Sequence, residues 1–66
     1  MSVLKVIEIM SNSETSWEDA TRKAVKHAAK SVKNIKSVYV REQSAVVRDN
    51  EVTEFRVNLK FTFEVN

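Results

Sequence analysis

The chain has 66 residues, of which 11 are Lys or Arg and 9 are Asp or Glu, giving a formal charge of +2 and a calculated pI near 9.2. A domain this short buries only about 60% of the surface its unfolded chain exposes, so its own core is thin. There is no cysteine, no glycine and a single histidine, His27, which excludes a disulfide framework, a thiolate metal cluster, a Gly-rich phosphate loop and a nucleophile elbow of the usual form.

Small scaffolds compensate for thin cores with disulfides, a structural metal or association, and association is the device this composition leaves. No apolar run reaches the roughly 18 residues of a membrane span. The opening MSVLKVIEIM lacks the basic region and cleavage site of a secretory signal. A cytoplasmic protein with no membrane partner is therefore expected. The small basic excess does not by itself imply nucleic acid.

Val3 to Met10 is rich in β-branched residues and runs into the turn-like SNSETS, which predicts a first strand. Leu4, Val6 and Met10 lie on one face with Glu8, and Val3, Ile7 and Ile9 on the other with Lys5, so both faces are expected to be partly covered. In TSWEDATRKAVKHAAKSVKNI the period changes. Trp17, Ala20, Ala24, Ala28, Val32 and Ile35 recur at intervals of three and four, the stripe of a helix. Ser16 is the expected N-cap, with Asp19 completing a capping box. Glu18 and Asp19 at the start, and Lys30 and Lys33 at the end, complement the helix dipole.

EFRVNLKFTFEV alternates: Phe55, Val57, Leu59, Phe61, Phe63 and Val65 on a dry face, Arg56, Asn58, Lys60, Thr62 and Glu64 on a polar one. RDNE before it suits a two-residue hairpin turn centred on Asp49 and Asn50. An unbroken ladder from that turn sets Val40 opposite Leu59, Val38 opposite Phe61, Ser37 opposite Thr62 and Gln43 opposite Arg56. The alternation fails in SAVVRD, where Val47 meets Val52 on the far side. That failure implies either a bulge or a valine patch covered by a neighbouring subunit.

A strand, a right-handed crossover helix and a hairpin give an α+β βαββ domain. Its three-stranded sheet is antiparallel or mixed, with order 1-3-2, the long final strand central and the first strand parallel to the second on its far side. One helix covers one face, and nothing in the chain is long enough to cover the other. Residues 1–66 form one domain on this reading.

Catalysis has little support. His27 flanks the helix stripe with no nucleophile or carboxylate placed beside it by spacing. The basic helix face of Arg22, Lys23, Lys26, Lys30 and Lys33 reads as the solvated side of an amphipathic helix, without the aromatic platforms of single-strand binding, so no nucleic-acid partner is expected. Trp17 and the phenylalanines of the last strand read as packing anchors. The open face is different: Tyr39, Arg41, Gln43, Arg56, Asn58 and Lys60 offer a hydrogen-bonding surface with room for water or an anionic ligand between copies of the chain.

VLKVIEI, a Ser/Thr turn, SWEDA opening a helix, VKNI closing it, VREQ in the second strand and EFRVNLKFTFEV as the third together resemble the dodecins, from about Val3 to Val65. The resemblance implies a hollow homododecamer with helices outside and sheets inside. It also implies a non-enzymatic role in storing or sequestering a small molecule, which in many members is riboflavin or FMN stacked in pairs between aromatic side chains. Flavin-binding members carry a stacking tryptophan directly after the N-I-basic step, where this chain has Ser37. They commonly carry a glutamine after the aromatic that opens the third strand, where this chain has Arg56.

Flavin binding is therefore expected to be weakened or altered. Tyr39, two positions along the same predicted face, compensates in part, and Arg56 favours phosphates and carboxylates. The ligand-binding set expected on these grounds is Ser37, Tyr39, Arg41, Gln43, Arg56 and Asn58. The alternative is a shell that holds calcium or another hard cation, or is purely structural. Its carboxylates, Glu8, Glu42, Asp49, Glu51, Glu54 and Glu64, are scattered rather than arranged as a loop motif.

Overall fold

The computed structural model describes residues 3–65. Four elements follow one another: β1 (Val3–Ser13), α1 (Trp17–Ala28), β2 (Ile35–Arg48) and β3 (Glu51–Val65). The sheet order is β1-β3-β2, and both edge strands run antiparallel to β3. The architecture is the βαββ layer expected from the sequence.

The core lies where the two apolar periods meet. Ala20, Ala24 and Ala28, one per helical turn, face Val57, Leu59 and Phe61, one per strand pleat, and all six are buried. Alanine on the helix side lets the backbone approach the sheet closely, so the large strand side chains fill the space. Full burial of each of those three contributes about 1.5–3 kcal/mol. Ile7, Ile9, Trp17, Val25, Ile35 and Val38 pack around them. Trp17 meets Phe55 edge to face at a centroid distance of 4.9 Å, and its indole N–H donates to the Ser44 carbonyl at 2.8 Å, tying the helix start to both hairpin strands.

Two expected boundaries move. β1 continues through the serines to Ser13, which pairs with Phe55. The Ser13 hydroxyl donates to Asp19 at 2.5 Å and accepts from the Thr15 amide at 2.9 Å and the Ser16 amide at 3.4 Å. Ser16 caps the helix as expected, accepting from the Asp19 amide at 2.9 Å. The Asp19 carboxylate, however, turns to Ser13 and to Lys23, 3.1 Å away, instead of back to the Ser16 amide. The Ser13 hydrogen bond, then Lys23, hold the Asp19 carboxyl below its ordinary 3.8.

The helix ends at Ala28, before Val32 and Ile35. Lys30 and Lys33 therefore lie beyond it, and Lys26 and His27 supply the positive charge of the last turn. Asn34, at φ 62°, reverses the chain, and its carbonyl accepts from the Glu64 amide at 3.0 Å.

The hairpin turn is as expected: Asp49 (φ 51°) and Asn50 (φ 64°) are both left-handed, the geometry of a type I′ turn. Val40–Leu59, Val38–Phe61 and Ser37–Thr62 also pair as expected. The ladder is nevertheless not continuous. It shifts register between Ile35 and Ser37 at the far end, then between Val40 and Glu42 and between Val46 and Val47, so the bulge reading of the failed alternation is correct. Between the last two shifts Gln43 pairs with Val57 and Ser44 with Arg56, which corrects the expected pairing of Gln43 with Arg56. Val47 still meets Val52, but the alternation of β2 from Ala45, partner of Phe55, sets that pair on the helix side of the sheet instead of the far side.

A 12-residue helix is about 18 Å long, whereas the domain extends 51 Å along its longest axis. Much of the sheet therefore projects past the helix. The radius of gyration is 13.5 Å, against about 11 Å for a compact domain of this length. The accessible surface is 5101 Å², against about 4,300 Å² for a monomer of this mass. The excess is on the order of 800 Å², one partner's share of a standard protein interface.

Candidate functional site

The helix-free side of the sheet gathers most of the residues expected to bind a ligand. Reading across β1, β3 and β2, the paired residues form rows: Val6–Thr62–Ser37, Glu8–Lys60–Tyr39, Met10–Asn58–Glu42 and Asn12–Arg56–Ser44. Ser37, Tyr39, Arg56 and Asn58 thus share one face, set there by strand alternation. Gln43 does not join them, because its partner Val57 belongs to the helix side.

Arg41 reaches this face by a different route. It is the unpaired residue of the bulge between Val40 and Glu42, and a bulge bends its strand and re-aims a side chain. The guanidinium crosses the central strand to Glu8 on the opposite edge strand, with Nη1 3.2 Å from Oε2 and 3.5 Å from Oε1. Lys60, between them, stands 4.0 Å from Oε1 of the same carboxylate. One row below, Arg56 Nε donates to Asn12 Oδ1 at 3.0 Å, and the Asn12 amide donates to Glu54 at 3.4 Å.

These contacts are solvent-accessible in the protomer, so each contributes little to stability. What they do is hold charged side chains flat across the sheet. A cleft of about 270 Å³ opens beside them, lined by Glu8, Ile9, Met10, Asn58 and Leu59. A larger one, about 450 Å³, lies at the β1–α1 turn and is lined by Asn12, Ser13, Glu14, Thr15, Lys23 and Glu54.

Two tests of ligand type follow from this geometry. Ser37 is exposed beside Thr62 and presents a hydroxyl, while Tyr39, 64% exposed, is the aromatic side chain the open face offers. For a hard cation, no three His, Asp or Glu side chains converge within the protomer among the described residues. Among those residues no helix is long and apolar enough to cross a membrane.

A family model described as Dodecin matches residues 3–66. The chain belongs to the dodecin family. The calcium dodecin of Mycobacterium tuberculosis is 40% identical over 65 residues, which span 98% of this chain and 92% of the relative. A crystal structure of a calcium dodecin from the same organism, described as a calcium-chelating antigen with a novel calcium-binding site, superposes with a TM-score of 0.86 at 38% identity, covering 98% of this chain and 93% of that one. The dodecin of Streptomyces coelicolor superposes with a TM-score of 0.94 at 23% identity over 98% and 93% of the two chains, a likeness of fold.

On this dodecin scaffold, two participants in the open-face network escaped the sequence reading as partners: Glu8, which anchors Arg41, and Asn12, which orients Arg56. A signal for the first was present, since Glu8 interrupts the otherwise apolar Leu4, Val6, Met10 series of its face.

Proposed function

We propose that this dodecin is a non-enzymatic subunit of a hollow homododecamer, the open sheet faces of whose subunits bind and sequester a small ionic ligand in place of a tightly stacked flavin. The observation that carries the ligand reading is Ser37. It lies on the open face, in register with Thr62, and without a ring there a flavin loses its stacking partner. Base–aromatic stacking contributes roughly 1–3 kcal/mol per base, so its loss weakens a flavin by about one to two powers of ten per stack. Assembly is supported by the excess surface and by a face of charged, cross-linked side chains that no element among the described residues covers.

Calcium is the first ionic candidate, supported by a relative of 40% identity named for it. Calcium takes six to eight oxygen ligands. With no cluster of three acidic groups in one protomer among the described residues, the site is completed by oxygens from adjoining copies, drawn from open-face carboxylates such as Glu42 and Glu54. A second reading, weakened binding of riboflavin or FMN, rests on Tyr39, exposed two residues from Ser37, with Arg41 and Arg56 available to a phosphate. Nothing in either reading calls for a nucleic-acid or membrane partner, and the cytoplasm suits both.

Sedimentation of the purified chain reads the assembly. Calcium titration by calorimetry, with chelator reversal of any rise in melting temperature, is expected to show binding. Quenching of added riboflavin or FMN is expected only at tens of micromolar. A colour-carrying protein with submicromolar flavin affinity and no calcium response would overturn the ionic reading.

A further inference from the structure

The charges of this chain are segregated along its length. From Ala20 to Arg41 there are seven Lys or Arg and no Asp or Glu, while the remaining four basic residues share the rest of the chain with all nine acidic ones. The fold converts this segregation into two ends. β1 runs from Val3, paired with Val65, to Ser13, paired with Phe55, and α1 then runs back until Asn34 bonds Glu64. Glu14 and Glu54 line one cleft at the first turn together with Lys23, and Asp49 and Glu51, the latter paired with Arg48, lie at the hairpin tip on the same side of the long axis, so that acidic groups outnumber basic ones there. At the other end of the long axis are Lys30, Lys33 and Lys36, with Lys5 in register with Phe63. There the acidic side chain is Glu64, 3.9 Å from Lys36.

Each end also carries an exposed apolar pair. At the acidic end Val47 and Val52, cross-strand partners, are 62% and 53% exposed, and at the basic end Val3 and Val65, also partners, are 62% and 43% exposed. An apolar centre within a charged rim is the anatomy of an interface, and here the two rims have opposite sign.

We infer that copies of the chain dock end to end, the acidic hairpin end of one on the basic end of the next. Such a contact is heterologous, joining unlike surfaces, and closes into a ring when the rotation permits. It rests on the homo-oligomeric reading above and adds the contact that supplies the ring. A shell of twelve needs both a like-to-like twofold contact, which the open faces offer, and a ring contact, which they do not. Opposed charge favours the correct pairing of ends and opposes the tip-to-tip and tail-to-tail alternatives.

The test is sedimentation velocity on the whole chain and two double variants, Lys30→Glu with Lys33→Glu and Glu14→Lys with Glu51→Lys, all at exposed positions, with circular dichroism confirming the fold. Each double variant is expected to dissociate at a protein concentration at least about tenfold above that of the parent, and a chain carrying all four substitutions, whose ends are exchanged in sign, is expected to recover the parent's mass. Raising salt from about 0.05 to about 0.5 M is expected to loosen the parent assembly and leave the variants less affected. Assemblies of unchanged stability in both variants would overturn the end-to-end contact while leaving the shell itself standing. Loss of assembly that combining the four substitutions does not restore would overturn it as well. A parent that sediments as a single protomer throughout would overturn both the contact and the shell.

Discussion

Replacing Ser37 with tryptophan tests the ligand reading at its most sensitive position. Ser37 is exposed, lies on the open face opposite Thr62, and is separated from the core by the thickness of the sheet. The larger ring therefore displaces no buried side chain, and the fold is expected to be unaffected. One aromatic platform contributes roughly 1–3 kcal/mol to stacking on a flat base, which converts to a gain in flavin affinity of about 5- to 150-fold. Flavin quenching, titrated on the parent, Ser37→Trp and Ser37→Ala, measures that ratio directly. The alanine variant is expected to match the parent, since a serine hydroxyl supplies no platform. Should Ser37→Trp keep the mass of the parent assembly and yet bind flavin no more tightly, the open face is not where a planar ligand sits, and the weight placed on Ser37 is misplaced.

Phe61 is fully buried against the helix alanines, and Phe61→Ala is expected to cost about 3–5 kcal/mol, read in a denaturant titration. Asp49 and Asn50 hold left-handed conformations without glycine, so Asn50→Gly is expected to stabilise the hairpin by up to about 1 kcal/mol, read as a higher denaturation midpoint. The Asp19 carboxyl is held below 3.8, first by Ser13 and then by Lys23. Its contribution is therefore complete above that value and disappears as pH falls through the lower folded value. The stability gap between the parent and Asp19→Asn is expected to be constant from pH 5 to pH 7 and to close below about pH 4. Trp17→Phe removes the indole donor to Ser44 and is expected to cost about 1 kcal/mol, measured by thermal unfolding followed by circular dichroism.

What the sequence revealed depended on which features leave a periodic trace. The alternation of β3 from Phe55 to Val65 named the core face, and the Asp49–Asn50 turn fixed the register beside the turn and again from Val40 to Ser37, but not at Ile35, which pairs with Phe63. The helix end was hidden because Val32 and Ile35 continue the three-four spacing after the helix has stopped, and no glycine marks the reversal that Asn34 performs. β1 was cut short because serines that read as a turn are still paired through Ser13.

The bulge at Arg41 had the largest effect on the site, moving Gln43 off the open face. One extra residue leaves no mark in composition. It does leave a misfit, for an unbroken ladder would set Glu42 opposite buried Val57, and the bulge instead gives it Asn58. The pairing of Arg41 with Glu8 had no trace at all, since it joins edge strands 33 positions apart across a third.

The two bulges of β2 reach beyond the placement of single side chains. β1 and β2 are sheet margins, and a long, flat margin invites stacking into fibrils by any chain that meets it. The unpaired residues Lys36 and Arg41 break the 14 residues of β2 into shorter stretches that a straight strand cannot follow from end to end. A lone chain thus carries its own guard against polymerising along that margin, and straightening either bulge would favour aggregation.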